Sequence, residues 1–392
     1  NHRVCSYRRY FYAKIVQIEC IISSLLEYYA EMQFILCKDS ARRVERKELA
    51  RFSFHSQSVR SKFPLSKNLH YLCRLTKNRK FMEKKDNEII IPWHEAPAKA
   101  TAENPYREGP ALTKRGKLLG RAPEIDTDDE SKKRTVLDYY DLKKMVPFFD
   151  GKPKLVHALM KLMKLDNVNY LHHRNLNTPG AAFVRGLLDD FHITLRVDGA
   201  DVLNNLPEGA FITVSNHPFG ALDGIMLIDL LASRRSDYKV MVNMILNHIR
   251  GMRPNFIAVD PMSSDDPAKR AVTMKGIKEA MIHVRRGHPL GFFPAGAMSK
   301  LNSHLDIQDR EWQPSIIRLI QQLNVPVVPV YFHGRNSMIF NLLGVISWQL
   351  RTLRLPAEVF AHCGETYHIS VGDVITPDEQ KKFADVKEFG AM

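Results

Sequence analysis

From residue 193 to residue 332 the chain alternates short apolar runs with longer, helix-length ones, and few folds accommodate that rhythm. Strand-like runs fall at 193–197, 211–214, 239–242, 256–259, 289–293 and 327–332, and helix-like runs at 224–232, 267–285 and 314–323. A strand that is apolar at nearly every position is covered on both faces, and strands separated by helices are joined by crossovers. The expectation is an α/β domain with a largely parallel central sheet flanked by helices. In such sheets reactive groups gather in loops just beyond the strand ends.

Two of those ends carry chemistry. Residues 215–224 read Ser-Asn-His-Pro-Phe-Gly-Ala-Leu-Asp-Gly and put His217 and Asp223 on one short turn. Imidazole changes protonation near neutral pH, so His217 suits a general base. A carboxylate accepting from the other ring N–H fixes the tautomer and favours the imidazolium, a role open to Asp223. Each residue alone also fits a plain structural role, as a strand-end His capping the next helix or as a first-turn acid. A second segment, 290–299, reads Leu-Gly-Phe-Phe-Pro-Ala-Gly-Ala-Met-Ser, and a third, 325–330, reads Val-Pro-Val-Val-Pro-Val. The ordered set of three, rather than the pair, favours catalysis.

In that order the three segments resemble the lysophospholipid acyltransferase family, the PlsC-like glycerolipid acyltransferases, over about residues 190–375. The resemblance implies a PlsC-like fold and transfer of a fatty acyl group from a thioester to a hydroxyl. His217 and Asp223 become the catalytic pair, and residues 293–299 the acceptor-side loop. Asn216, Phe293, Pro294, Gly296, Ser299 and Lys300 become candidate substrate contacts. Among them, Gly296 permits close backbone approach, nearby N–H groups meet the oxyanion, and Ser299 bonds the acceptor. The third segment becomes a buried strand lining the acyl tunnel, and His333 after it a structural histidine. An acyl-carrier-protein or coenzyme A thioester is the implied donor. Because a thioester is already activated, direct attack by the acceptor hydroxyl suffices, without a bound cofactor.

The chain departs from the family pattern in ways that bear on the acceptor. Five residues separate His217 from Asp223 where the family has four, and Gly220 can absorb the extra one as a bulge. Pro261 stands where the family has a phosphate-reading Arg, and Ala295 where it has an acceptor-holding Glu. Pro and Ala offer no charge-assisted or side-chain hydrogen bonds, so the acceptor differs from a glycerol phosphate. This variant resembles the haemolysin-type branch and the O-acyltransferases that complete glycine or ornithine lipids. The acceptor so implied, an N-acylated amino acid, ends in a carboxylate and calls for a nearby cation. Arg253, Lys300, Arg318 and Arg335 are the candidates, with Arg318 read as a solvated or capping charge. A lysophosphatidate-type acyltransferase and a non-catalytic lipid-binding protein are the competing readings.

The remaining regions read as follows: 1–81 a basic extension, 82–135 a linker, 136–190 an amphipathic helical membrane-association region, and 191–392 the acyltransferase domain. Residues 1–81 hold 17 Lys+Arg against 6 Asp+Glu, and four of the five cysteines. That break, with Met82 as an ordinary start, suggests a mis-assigned or dispensable extension; the alternative is a basic arm for nucleic acid or anionic lipid. No nucleic-acid motif supports the arm, and no nucleic-acid partner is expected. Scattered cysteines fit a reducing compartment. Prolines and an acidic cluster mark 92–135 as linker without a core. The runs 136–149 and 152–165 have helical spacing with interspersed lysines, as a pair at a lipid surface or as two helices packed on the domain. No run is long enough for a certain transmembrane helix; 338–350 reads as a buried or interfacial helix. The expected location is peripheral, on the cytoplasmic face of the inner membrane. Serine-hydrolase, zinc-protease, P-loop and dinucleotide fingerprints are absent, and no third ligand near His217 and Asp223 suggests a metal.

Overall fold

The computed structural model describes residues 87–121, 126–260, 267–302, 306–383 and 385–391. Expectations for residues 1–81, the start at Met82 and the role of Pro261 lie outside the described residues. The strands are β1 (Glu88–Ile91), β2 (Thr194–Asp198), β3 (Ile212–Ser215), β4 (Lys239–Asn243), β5 (Phe256–Val259), β6 (Leu290–Phe292), β7 (Lys300–Leu301), β8 (Ile307–Gln308), β9 (Val327–Phe332) and β10 (Thr366–Val371). The main helices are α1 (Tyr139–Met145), α2 (Pro153–Leu162), α3 (Leu165–Asn175), α4 (Ala181–Asp190), α5 (Ala221–Ala232), α6 (Pro267–Arg285), α7 (Pro314–Leu323), α8 (Met338–Ile346) and α9 (Trp348–Ala361).

Eight strands form one sheet in the order β1-β2-β10-β9-β3-β6-β4-β5, and β7 and β8 form a separate hairpin. The sheet is mixed. Its centre, β9-β3-β6-β4-β5, is parallel. β10 runs antiparallel to β9, and β1 runs antiparallel to β2 at the edge. Helices cover both faces. Leu187 and Leu188 of α4 and Leu222, Met226 and Leu230 of α5 pack in one cluster with Leu195, Val328 and Val330. Ala280 and Val284 of α6 and Ile317 and Ile320 of α7 pack in another with Ile212, Val214 and Phe292. All four residues of β3 are buried, which is why its sequence is continuous rather than alternating.

One expectation changes here. The supposed linker is packed in its described part: β1 pairs with β2, and Ala111 and Leu112 are buried in the main core. Isolated apolar residues between prolines serve as plugs even where no helix or strand pattern announces them. The 136–165 stretch becomes α1, a 3-10 turn at Pro147–Phe149, α2 and the start of α3. Val156, Met160 and Leu165 form a small core of their own, leaving Leu155, Leu162 and Phe148 exposed. Among the described residues no helix is long and apolar enough to cross a membrane.

Parallel alignment has one consequence for chemistry. β3, β6 and β9 all end at the same edge, so residues 216–220, 293–299 and 333–337 meet there.

Candidate active site

The turn after β3 is built from its ends inward. Asn216 locks it to β9: its side chain accepts from the Phe332 N–H at 2.7 Å and donates to the Phe332 carbonyl at 2.9 Å. Phe219 is buried, edge-on to His362 and Tyr367. Asn336 donates to the Pro218 carbonyl from the loop after β9. Gly220 then takes φ +77° and starts α5, and a Cβ there would meet Met298 Sδ at 2.5 Å. A side chain is excluded by conformation and by space, and this glycine absorbs the extra residue between His217 and Asp223.

Asp223, three residues into the turn of α5, is fully buried. Its Oδ2 accepts from the Phe219 and Gly220 N–H groups at 2.9 and 2.8 Å, and lies 3.0 Å from His217 Nδ1. The imidazole approaches at ion-pair distance but off the line of a full hydrogen bond, and Oδ1 has no partner. Burial pushes the Asp223 carboxyl above its ordinary value, while His217 and the two backbone N–H groups oppose that shift. One carboxylate therefore both caps the helix and faces the histidine. The His217 ring lies against Phe293, centroids 4.2 Å apart, and stays partly exposed.

A second carboxylate holds the histidine from the other side. Asp309, just after β8, accepts the His217 backbone N–H at 3.0 and 3.2 Å and also the Ser299 hydroxyl. The Ser299 N–H donates to the His217 carbonyl at 3.0 Å. Arg351 of α9 donates through Nη2 to the Ser299 carbonyl at 2.6 Å.

Several candidate contacts find other employment. Asn216 is spent on β9. Ser299 is buried, and its hydroxyl donates to Asp309. Gly296 is exposed with φ +66°, and its N–H donates to the Phe293 carbonyl at 2.9 Å. Pro294 and Ala295 are buried, and the Pro294 carbonyl accepts from Gln313. Lys300 is exposed on β7. Arg253 donates to the Asn247 carbonyl within the β4–β5 crossover, with no contact to the His217 turn. Arg318 is exposed on α7, and Arg335 is exposed in the loop that touches Phe219 and Pro218. His333 is satisfied structurally, bonded to Ser370 and stacked on His368. Among the described residues no group of three or more His, Cys, Asp or Glu is placed to hold a metal.

Asp309 and Arg351 went unnoticed in the sequence. Asp309 lies 92 residues from His217, and nothing local marks it. Arg351 had one signal, a lone charge closing the uncharged stretch 338–350.

A family profile described as Acyltransferase matches residues 150–389. The chain is 31% identical over 250 residues to a lyso-glycine lipid O-acyltransferase of Bacteroides thetaiotaomicron, covering 60% of this chain and 88% of that protein. It is 26% identical over 266 residues to a lyso-glycine lipid O-acyltransferase of Phocaeicola vulgatus, covering 64% of this chain and 91% of that protein.

Proposed function

The chain belongs to the acyltransferase family and is an O-acyltransferase related to those of amino-acid lipids; from that premise we infer its acceptor to be an N-(3-hydroxyacyl) amino acid of the glycine-lipid type. The donor in this reading is a fatty acyl thioester of acyl carrier protein or coenzyme A. His217 takes the proton from the acceptor hydroxyl as its oxygen attacks the thioester carbonyl. Asp223 faces the imidazolium so formed and holds the ring in place. The tetrahedral oxyanion collapses, the C–S bond breaks, and the leaving thiolate recovers the proton from His217. No covalent enzyme intermediate is required.

The observation that carries this reading is the His217–Asp223 contact, made across five intervening residues, in a chain whose acceptor-side loop has Ala295. The names of the two bacterial relatives support the glycine-type acceptor. The surface that meets lipid is assigned to α8. Residues 338–348 carry no charge, and Ile339, Leu342, Val345, Ile346 and Trp348 are exposed. In sequence Arg335 precedes this run and Arg354 follows it, a charge pattern suited to the boundary of an anionic bilayer. This reading places the enzyme peripherally, on the cytoplasmic face of the inner membrane.

The test is a lipid-extract comparison by mass spectrometry in cells expressing wild type or His217→Ala. Gain of an acyl chain on an N-acylated glycine only with wild type supports the assignment. A rise in phosphatidic acid instead keeps the family and overturns the acceptor. Loss of the general base should lower kcat by about 10²–10⁴-fold.

A further inference from the structure

Arg351 is a buried cation that no carboxylate answers among the described residues. It is 5% exposed, and its guanidinium makes one hydrogen bond, to the Ser299 carbonyl. Its Nε has no partner, and its charge lies over the Phe340 ring at 4.9 Å. The other buried Lys and Arg among the described residues are paired. Arg174 meets Asp190, and Lys133 meets Asp141 and Asp138. Arg351 instead feels a second cation, Arg310, an exposed residue that follows Asp309. Burial and that like charge both disfavour its charged form.

A charge in such surroundings is costly unless something answers it. The fold makes room for it: Gly344 of α8 lies against the Arg351 side chain, and a Cβ there would come within 2.7 Å of its Cδ and 3.2 Å of Nη1. The position is also close to the chemistry. Arg351 bonds Ser299, whose N–H bonds the His217 carbonyl. The exposed apolar face of α8 lies on the neighbouring helix. A lipid-borne acceptor arriving along α8 would bring an anionic head toward Arg351 and its hydroxyl toward His217.

We propose that Arg351 is the anion subsite that receives the carboxylate of the acyl acceptor. Its planar guanidinium suits a carboxylate, and burial strengthens the interaction. Asp309 does not compete for it, because that carboxylate is engaged by the His217 N–H and the Ser299 hydroxyl. This subsite supplies the head-group cation that the motif positions lack, and it rests on the acceptor class inferred above.

The experiment uses the purified full chain, an acyl-coenzyme A or acyl-carrier-protein donor, and two acceptors, N-(3-hydroxyacyl)glycine and the matching glycinamide. Wild type should favour the carboxylate. Arg351→Gln should cut kcat/KM for it by about 10- to 100-fold, with a far smaller loss for the glycinamide, so that discrimination collapses. Arg351→Lys should restore part of the discrimination, and Arg310→Gln should erode it less than Arg351→Gln does. Equal losses on both acceptors in a folded Arg351→Gln protein would overturn the proposal and leave Arg351 as a clamp on Ser299. Unchanged discrimination would overturn it too. A wild-type enzyme that acylates neither glycine compound, but does acylate 1-acylglycerol 3-phosphate, would instead overturn the acceptor class.

Discussion

Arg174 and Arg351 are both buried, one in the helical layer formed by α3 and α4, the other in the α8–α9 hairpin beside the loop that carries Ser299, and their surroundings have little in common. Arg174 donates to Asp190 at 3.3 Å and to the carbonyls of Glu108 and Gly109, while Asn175 completes the Asp190 carboxylate. Those bonds join α3, α4 and the 108–109 segment into one unit. Arg351 has a single carbonyl, an aromatic face and a cation for company. A buried charge whose partner is in the chain belongs to the architecture. One whose partner is missing from the chain makes sense when the partner is a ligand.

Stability measurements put that contrast to its hardest test. Arg174→Met strands Asp190 and should cost about 3–5 kcal/mol in chemical denaturation. Arg351→Met removes an unanswered charge and should cost no more than about 1–2 kcal/mol, the scale of the hydrogen bond lost at the Ser299 carbonyl. Equal destabilisation by the two substitutions would erase the distinction and with it the functional reading of Arg351.

Acid sharpens the comparison from the other side, because the helical layer also buries His172. Its Nδ1 meets the Arg134 carbonyl at 2.7 Å, and the Gly251 N–H donates to Nε2. Burial, together with the charges of Arg250, Arg134 and His173, lowers its pKa from 6.5 to about 4. In the unfolded chain the ring takes up a proton first, so stability is fully present above pH 6.5 and is lost as the pH falls toward 4. The loss attributable to this ring is up to about 3 kcal/mol. Denaturation midpoints across that range should fall less steeply in His172→Gln, while Arg351→Gln should keep the wild-type slope. If His172→Gln leaves the slope unchanged, the acid sensitivity lies elsewhere.

The two regions also differ in how much of them the sequence discloses. The centre of the sheet is legible because β3, β6 and β9 are continuous apolar runs, and the His217 turn because its residues lie within eight positions of β3. β10 escaped although Thr366–Val371 alternates in burial, since its His and Ser on the second face dilute the apolar signal. β1 escaped because it pairs only at the sheet edge, with prolines close behind it. Asn216 shows the converse. Its place beside the histidine suggests a substrate contact, while its side chain bonds Phe332 of β9. Whether a polar side chain serves the fold or the substrate depends on which distant element meets it, and in this chain those meetings span up to 116 residues for Asn216 and 52 for Arg351.

The smallest effect probes the boundary between the regions, at Asp309. This carboxylate touches no reacting atom in the proposed mechanism; it fixes the main chain of His217 and the hydroxyl of Ser299, and Ser299 in turn carries Arg351. Asp309→Asn keeps the shape but weakens two charge-assisted bonds, a change worth about 1–2 kcal/mol. Because His217 and Arg351 both hang from this junction, the substitution should lower kcat and raise KM for the carboxylate acceptor together, each by about three- to tenfold. Steady-state kinetics with N-(3-hydroxyacyl)glycine measures both. A fall in kcat alone would separate Arg351 from the catalytic loop. A loss as large as that of His217→Ala would make Asp309, rather than Asp223, the carboxylate on which the histidine depends.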